Sequence, residues 1–283
     1  MLNIQKILIE AFNKELRESY LETFGMLELE NSHILSWFGR LALENISNSD
    51  LLYHDVEHTM MVSLVGQEIL KGKHLSEGGV TADNWLHFMI ALLCHDIGYV
   101  RGICKNDNGD ECATGINDEI VEISRNGTDA VLAPYHIDRG KLFVQERFSK
   151  TSFTKIDVDR ICDYIEMTRF PIPKGDSFYQ DTVNYRGLVR ASDLIGQLGD
   201  PQYLKKQPAL FYEFSELGIN EKFGYENPGD LRKGYPGFYW NIIRPYIQDA
   251  LRYLRVTQEG KQWIANLHSH VFEVEHNQGM MHQ

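Results

Sequence analysis

The 283 residues carry 28 Lys plus Arg against 40 Asp plus Glu, a formal net charge of −12. No Lys/Arg block interrupts this acidic excess, so the chain lacks the basic face that drives binding to a nucleic-acid duplex or to an anionic membrane surface. With 43% hydrophobic and 24% charged residues, the composition is that of a folded globular chain and excludes disorder as a description of the whole.

Apolar residues recur at i, i+3, i+4, i+7 along the chain and almost never alternate, which predicts an all-α fold. Ile4 to Phe24 and His33 to Glu44 are the first two amphipathic helices. The start alternates apolar and charged residues without an apolar signal-peptide core, so it reads as a helix of a cytoplasmic protein. After the polar turn Asn45 to Asp50, a long helix is expected from Asp50 to about Lys71. Thr81 to Asp83 caps the next, which runs through Trp85, Phe88 and Leu92 towards Gly98. Its Phe88–Cys94 stretch is the longest apolar run, seven residues where a membrane span needs about 20.

Gly102 to Gly115 reads as a polar loop, followed by helices at Ile116 to Ser124, Arg139 to Ser149, Asp157 to Thr168, Tyr185 to Leu198 and Gln202 to Leu217. Pro171 and Pro173 make Phe170 to Asp176 a turn. Gly218 to Gly237, with five Gly and two Pro, reads as an irregular connection before closing helices at Tyr239 to Arg255 and Gln258 to His276. No repeat or low-complexity linker appears, so residues 1–283 are expected to form one domain. The four cysteines form no CxxC pair, and Cys94 sits in the most apolar segment, so they read as reduced thiols.

Three segments place metal-ligand side chains on helices that otherwise read as core: Tyr53-His54-Asp55-Val56-Glu57-His58, Cys94-His95-Asp96-Ile97-Gly98 and Arg190-Ala191-Ser192-Asp193-Leu194. His54 and His58 share one helical face. Asp96 and Asp193 lie among apolar residues, where an uncompensated carboxylate costs several kcal/mol. Two imidazoles and two carboxylates can satisfy one divalent cation. The pattern HDVEH is not the HExxH of zinc proteases.

This succession of H, HD and D on consecutive helices resembles the HD-domain superfamily of metal-dependent phosphohydrolases. The first segment is also similar to the YHNxxH signature of class I cyclic-nucleotide phosphodiesterases, with Asp55 in place of Asn. The resemblance covers about Tyr53 to Leu198. It implies an HD helical bundle at about residues 50–200, flanked by N-terminal helices (1–45) and C-terminal helices (201–276). It further implies that His58, His95, Asp96 and Asp193 bind a first metal (Mn, Zn, Fe or Ni), that Asp96 bridges to a second, and that His54 is a general acid. Where the phosphodiesterase pattern has HDxxH, this chain has Tyr99. Members with a fully protein-ligated second metal use two further histidines before the last Asp; here only His136 lies between Asp96 and Asp193. A second cation, Mg or Mn, is then held through Asp96, His136 and water, with Glu119 or Glu122 as substitutes.

Arg139, Lys141 and Arg147 crowd the helix that His136 opens, and Arg139 is the candidate to grip a phosphoryl group, with Thr168 and Arg169 as further candidates for the same cleft. Phe211, Tyr212, Phe214, Phe238, Tyr239 and Trp240 read as packing between terminal helices rather than a base-stacking wall. The expected activity is hydrolysis of a small phosphorylated substrate, a nucleotide or relative. A non-catalytic metal-stabilised module and an HD-fold iron oxygenase are the alternatives.

Overall fold

The computed structural model describes residues 3–124, 126–149 and 155–280. It is all-α apart from one short hairpin. Helices α1 (Ile4–Phe24) and α2 (Leu29–Ile46) pair as a hairpin and lean on α4. Helices α3 (Val56–Glu77), α4 (Ala82–Cys94) and α7 (Tyr185–Leu198) form the centre, with α5 (His136–Phe148) and α6 (Val158–Glu166) on one flank. The C-terminal part comprises α8 (Tyr203–Glu216), α9 (Ile219–Phe223), α10 (Pro228–Phe238), α11 (Arg244–Leu254) and α12 (Gln258–Met280). One contiguous core runs from Ile9 in α1 to Val274 in α12. Among the described residues, no helix is long and apolar enough to cross a membrane.

Three expectations are corrected. Helix α3 starts at Val56 rather than Asp50, because the polar groups that would cap an earlier start are engaged elsewhere. Ser49 Oγ donates to Asp129 (2.8 Å), Asp50 pairs with Arg101 (2.6 Å), and Asp55 caps the helix by accepting from the His58 amide. The expected helix Ile116 to Ser124 is instead part of an antiparallel hairpin, β1 (Glu111–Ala113) and β2 (Ile120–Glu122), with Cys112 opposite Val121. Gly115, Asn117 and Asp118 adopt positive φ, which makes a turn and stops a helix from forming.

The connection Gly218 to Gly237 is largely helical. Asn227 caps α10 and Pro228 occupies its first turn, where the missing amide costs nothing. Pro236 is accommodated inside α10, and the chain then widens into a π-helical turn, Tyr239–Ile243. The aromatics around it divide: Phe211 and Tyr239 are buried, whereas Tyr212 and Trp240 are exposed.

Glycines set the closeness of the central helices. A Cβ on Gly196 would lie 2.6 Å from the Val62 Cα, so α7 touches α3 backbone to backbone. A Cβ on Gly98 would overlap the His136 carbonyl, so the turn after α4 sits directly against the start of α5. These two contacts bring the chemistry-bearing segments to one place.

Candidate metal centre

His58 lies in the first turn of α3, His95 caps the C-terminus of α4, Asp96 follows it, and Asp193 projects from α7. His58, His95 and Asp96 are buried, and Asp193 is nearly so. The two Nε2 atoms stand 3.4 Å apart. Asp96 Oδ2 is 3.3 Å from His58 Nε2 and 3.1 Å from His95 Nε2, and Asp193 Oδ1 is 3.6 Å from each. Ligands about 2.1 Å from a common ion lie roughly 3.0 Å apart along the edges of an octahedron and roughly 3.4 Å apart in a tetrahedron. The cluster has that size.

Hydrogen bonding sets the tautomer. His95 Nδ1 donates to the Leu92 carbonyl (2.7 Å), which leaves a lone pair on Nε2 for the cluster. Asp96 Oδ2 is sealed from solvent and has no hydrogen-bond partner. A buried, unpartnered carboxylate oxygen facing two imidazole nitrogens suits a cation ligand, and nitrogens with carboxylate oxygens form a borderline donor set suited to Mn, Fe, Ni or Zn. Without one, burial works against every charge here, yet the opposed groups still hold Asp96 well below, and His58 and His95 above, their ordinary pKa values. With the two Nε2 atoms 3.4 Å apart, only one of them can place a proton between the rings. A divalent cation resolves that conflict. His58, His95 and Asp96 fit the group, and Asp193 Oδ1 stands beside them, 3.6 Å from both imidazoles.

Beside the cluster, His54 Nδ1 lies 2.6 Å from Glu213 Oε2, and Glu213 Oε1 accepts from the amides of Tyr53 (2.6 Å) and His54 (3.3 Å). Burial depresses the His54 pKa, but the charge and hydrogen bond of Glu213, helped by Asp96 and Asp193, raise it to about 9. His54 is therefore an imidazolium at neutral pH, its ring 5.4 Å from that of His58. Glu213 lies on α8, outside the span of the resemblance. Its signal in the sequence is a carboxylate flanked by Phe211, Tyr212 and Phe214, where a charge needs a partner.

His136 and Tyr99 complete the surroundings. His136 Nδ1 donates to the Ala133 carbonyl (2.5 Å), and its Nε2 is 3.9 Å from Asp96 Oδ1. Burial lowers its pKa despite the pull of Asp96, so it is neutral. The Tyr99 ring stacks between His136 (centroids 4.3 Å apart, 13° between planes) and His54 (5.0 Å, 21°).

Arg139 does not face this site, contrary to expectation. It is fully buried, and its guanidinium donates to the carbonyls of Gly98, Val100 and Ala113 and to both oxygens of Asp107. All five N–H groups are thereby used, so none is left for a phosphate. Arg169 is likewise bound, to Asp138 and Glu166, and the Thr168 hydroxyl donates to the Ile165 carbonyl. Glu119 and Glu122 are exposed on the hairpin and stand outside the cluster.

Fold and site together define an all-α protein with a buried cluster of two histidines and two carboxylates. The chain belongs to the Npun_R2479-like family, whose model matches residues 2–277. No curated protein matches it.

Proposed function

We propose that the protein is a metal-dependent phosphohydrolase of the HD-domain type, acting on a phosphate ester of a nucleotide or related small molecule. The observation that supports this reading best is the placement of a protonated histidine, His54 on Glu213, next to the converging ligand atoms of His58, His95 and Asp96. His58, His95, Asp96 and Asp193 would hold the first cation, and Asp96 with His136 would contribute to a weaker second one, Mg or Mn. A bound cation supplies Lewis-acid polarisation of a phosphoryl oxygen and an activated water.

The chain's own residues supply the remaining steps. Glu213 holds the Nδ1 side of His54, so the proton available for the leaving oxygen is the one on Nε2. Glu213 keeps the acid protonated, and once His54 has protonated the leaving oxygen it is recharged by the proton that the attacking water releases. Because Arg139 is consumed internally, the chain's own countercharge for a phosphoryl group beside the cluster would be the His54 imidazolium. The four free, buried thiols suit a reducing, cytoplasmic setting.

Elemental analysis of the purified protein, followed by a panel of phosphate esters with Mn²⁺ or Mg²⁺, tests the reading. The wild type is expected to retain a divalent cation and release phosphate, and Asp96→Ala to lose both. His54→Ala keeps its cation and turns over roughly 10²- to 10⁴-fold more slowly. Hydrolysis retained in Asp96→Ala overturns the mechanism. A silent His54→Ala would instead mark a non-catalytic metal-stabilised module, and redox-active iron without phosphate release an oxygenase.

A further inference from the structure

We infer that the substrate's leaving group is an alcohol with an apolar ring, received by Leu52 and Tyr212 beside the acid; this rests on the phosphohydrolase reading above and narrows its substrate. In that reading the bond from phosphorus to the leaving oxygen breaks as His54 delivers its Nε2 proton to that oxygen, and water forms the new bond to phosphorus. The departing alcohol therefore lies against His54. This side chain is 18% exposed, where those of His58, His95 and Asp96 are 5% or less.

Three contacts frame the surface next to it. Asp50 Oδ1 accepts from the Asp129 amide (2.7 Å), Glu213 Oε1 from the Tyr53 amide (2.6 Å), and Glu216 Oε2 from the amide and hydroxyl of Thr128 (3.1 and 2.9 Å). Leu52 lies on the chain between Asp50 and Tyr53. Tyr212 stands on α8 directly before Glu213 and one turn before Glu216, on the side that reaches Thr128. Both side chains are 58% exposed. The charged groups of this rim are already engaged: Arg101 is held by Asp50 and Asp129, and Lys206 by Glu57 (3.1 Å). What the rim offers a ligand is one aliphatic and one aromatic surface, which suit a nucleobase or aryl ring. A leaving group that is itself a phosphate finds no free cation among these residues. Nucleoside and aryl esters therefore stand above phosphoanhydrides as substrates.

The test compares phosphate esters of alcohols with and without a ring: adenosine monophosphate against ribose phosphate, and benzyl against methyl phosphate, each as mono- and diester, with Mn²⁺ present. Within each pair the two alcohols are leaving groups of similar quality, so the comparison reads binding rather than chemistry. Wild type is expected to show a KM at least about 10-fold lower for the ester with the ring, the effect of partly covering one apolar ring, with little change in kcat. Leu52→Ser and Tyr212→Ser should each narrow that ratio, and the double variant should bring it to within about 2-fold of unity. Tyr212→Phe should keep it, since the ring and not the hydroxyl is used. Both side chains are exposed, so the variants are expected to melt with the wild type. Equal KM values in the wild type, or a ratio that survives in the double variant, overturns the inference and leaves the phosphohydrolase reading standing. A wild type that cleaves none of these esters overturns that reading and the inference with it.

Discussion

The charge of the His54 ring is set from a distance of 159 residues, by the carboxylate of Glu213. This pair makes both activity and stability depend on pH. The folded-state pKa of His54 is raised from 6.5 to about 9, and that of Glu213 is lowered from 4.5. Their contribution to stability is therefore complete between about pH 4.5 and 6.5. It is lost as pH rises through about 9, where His54 gives up its proton, and also as pH falls below the Glu213 range. Thermal melts should show the wild type losing stability between pH 6.5 and 9 relative to Glu213→Gln, whose His54 has no counter-charge to lose. The same substitution should move the alkaline limb of the pH–rate profile to lower pH, since a less favoured imidazolium deprotonates earlier. Equal alkaline limbs in the two proteins would show that His54 is not the acid.

Arg139 and Gly196 carry the site at the level of elements. The Arg139 guanidinium gathers the carbonyls of Gly98, Val100 and Ala113 with the buried Asp107, so it ties the turn after Asp96 and the hairpin to the start of α5. Arg139→Met would leave the Asp107 carboxylate without a counter-charge in the interior, held only by the amides of Cys104 and Ala113, a loss of roughly 3–5 kcal/mol. At about 2 °C per kcal/mol for a chain of this size, the melting temperature should fall by roughly 6–10 °C. A fall of less than a degree would remove this role. Gly196→Ala acts on the centre itself. A methyl group 2.6 Å from the Val62 Cα forces α7 away from α3, costs about 1–3 kcal/mol and carries Asp193 away from His58. Cation affinity should drop at least about 10-fold, measured by competition with a chelating dye.

These elements also show what the sequence makes legible. Helices α1 and α7 are read to the residue, Ile4–Phe24 and Tyr185–Leu198, because a long amphipathic period locates its own ends. The hairpin is not legible: strands of three residues are too short to display alternation, and Ile120 and Val121 fit a helix equally well. Helix α10 hides behind Gly and Pro that act as caps and first-turn residues rather than breakers. In the site, His58, His95, Asp96 and Asp193 are visible because each is anomalous on its own helix. Glu213 is only half visible, since its partner is remote in sequence, and Arg139 misleads because a cation at a helix start looks alike whether it faces solvent or five internal acceptors.

For the whole molecule, the formal charge of −12 and the buried cluster are linked. Folding brings Asp96 and Asp193 around the same pair of imidazoles, inside a chain that already repels further negative charge. A divalent cation that binds only the folded state relieves this locally and shifts the folding equilibrium by mass action. At a free concentration about 1,000 times its dissociation constant it adds roughly 4 kcal/mol, or about 8 °C at 2 °C per kcal/mol. Dialysis against a chelator should lower the melting temperature by that amount, and Mn²⁺ or Zn²⁺ should restore it. In Asp96→Ala the melting temperature should be the same with and without cation, because the shared ligand is gone. A wild type that melts identically with and without chelator would mean that the cluster neutralises itself by protonation, with His58 and His95 sharing protons with the carboxylates instead of surrounding an ion. The two arrangements place opposite demands on the imidazoles, lone pairs in one and protons in the other. The pH dependence of the melt at a fixed chelator concentration therefore separates them: stability that depends on protonated imidazoles falls as pH rises, whereas stability conferred by the cation rises with pH as the ligands deprotonate.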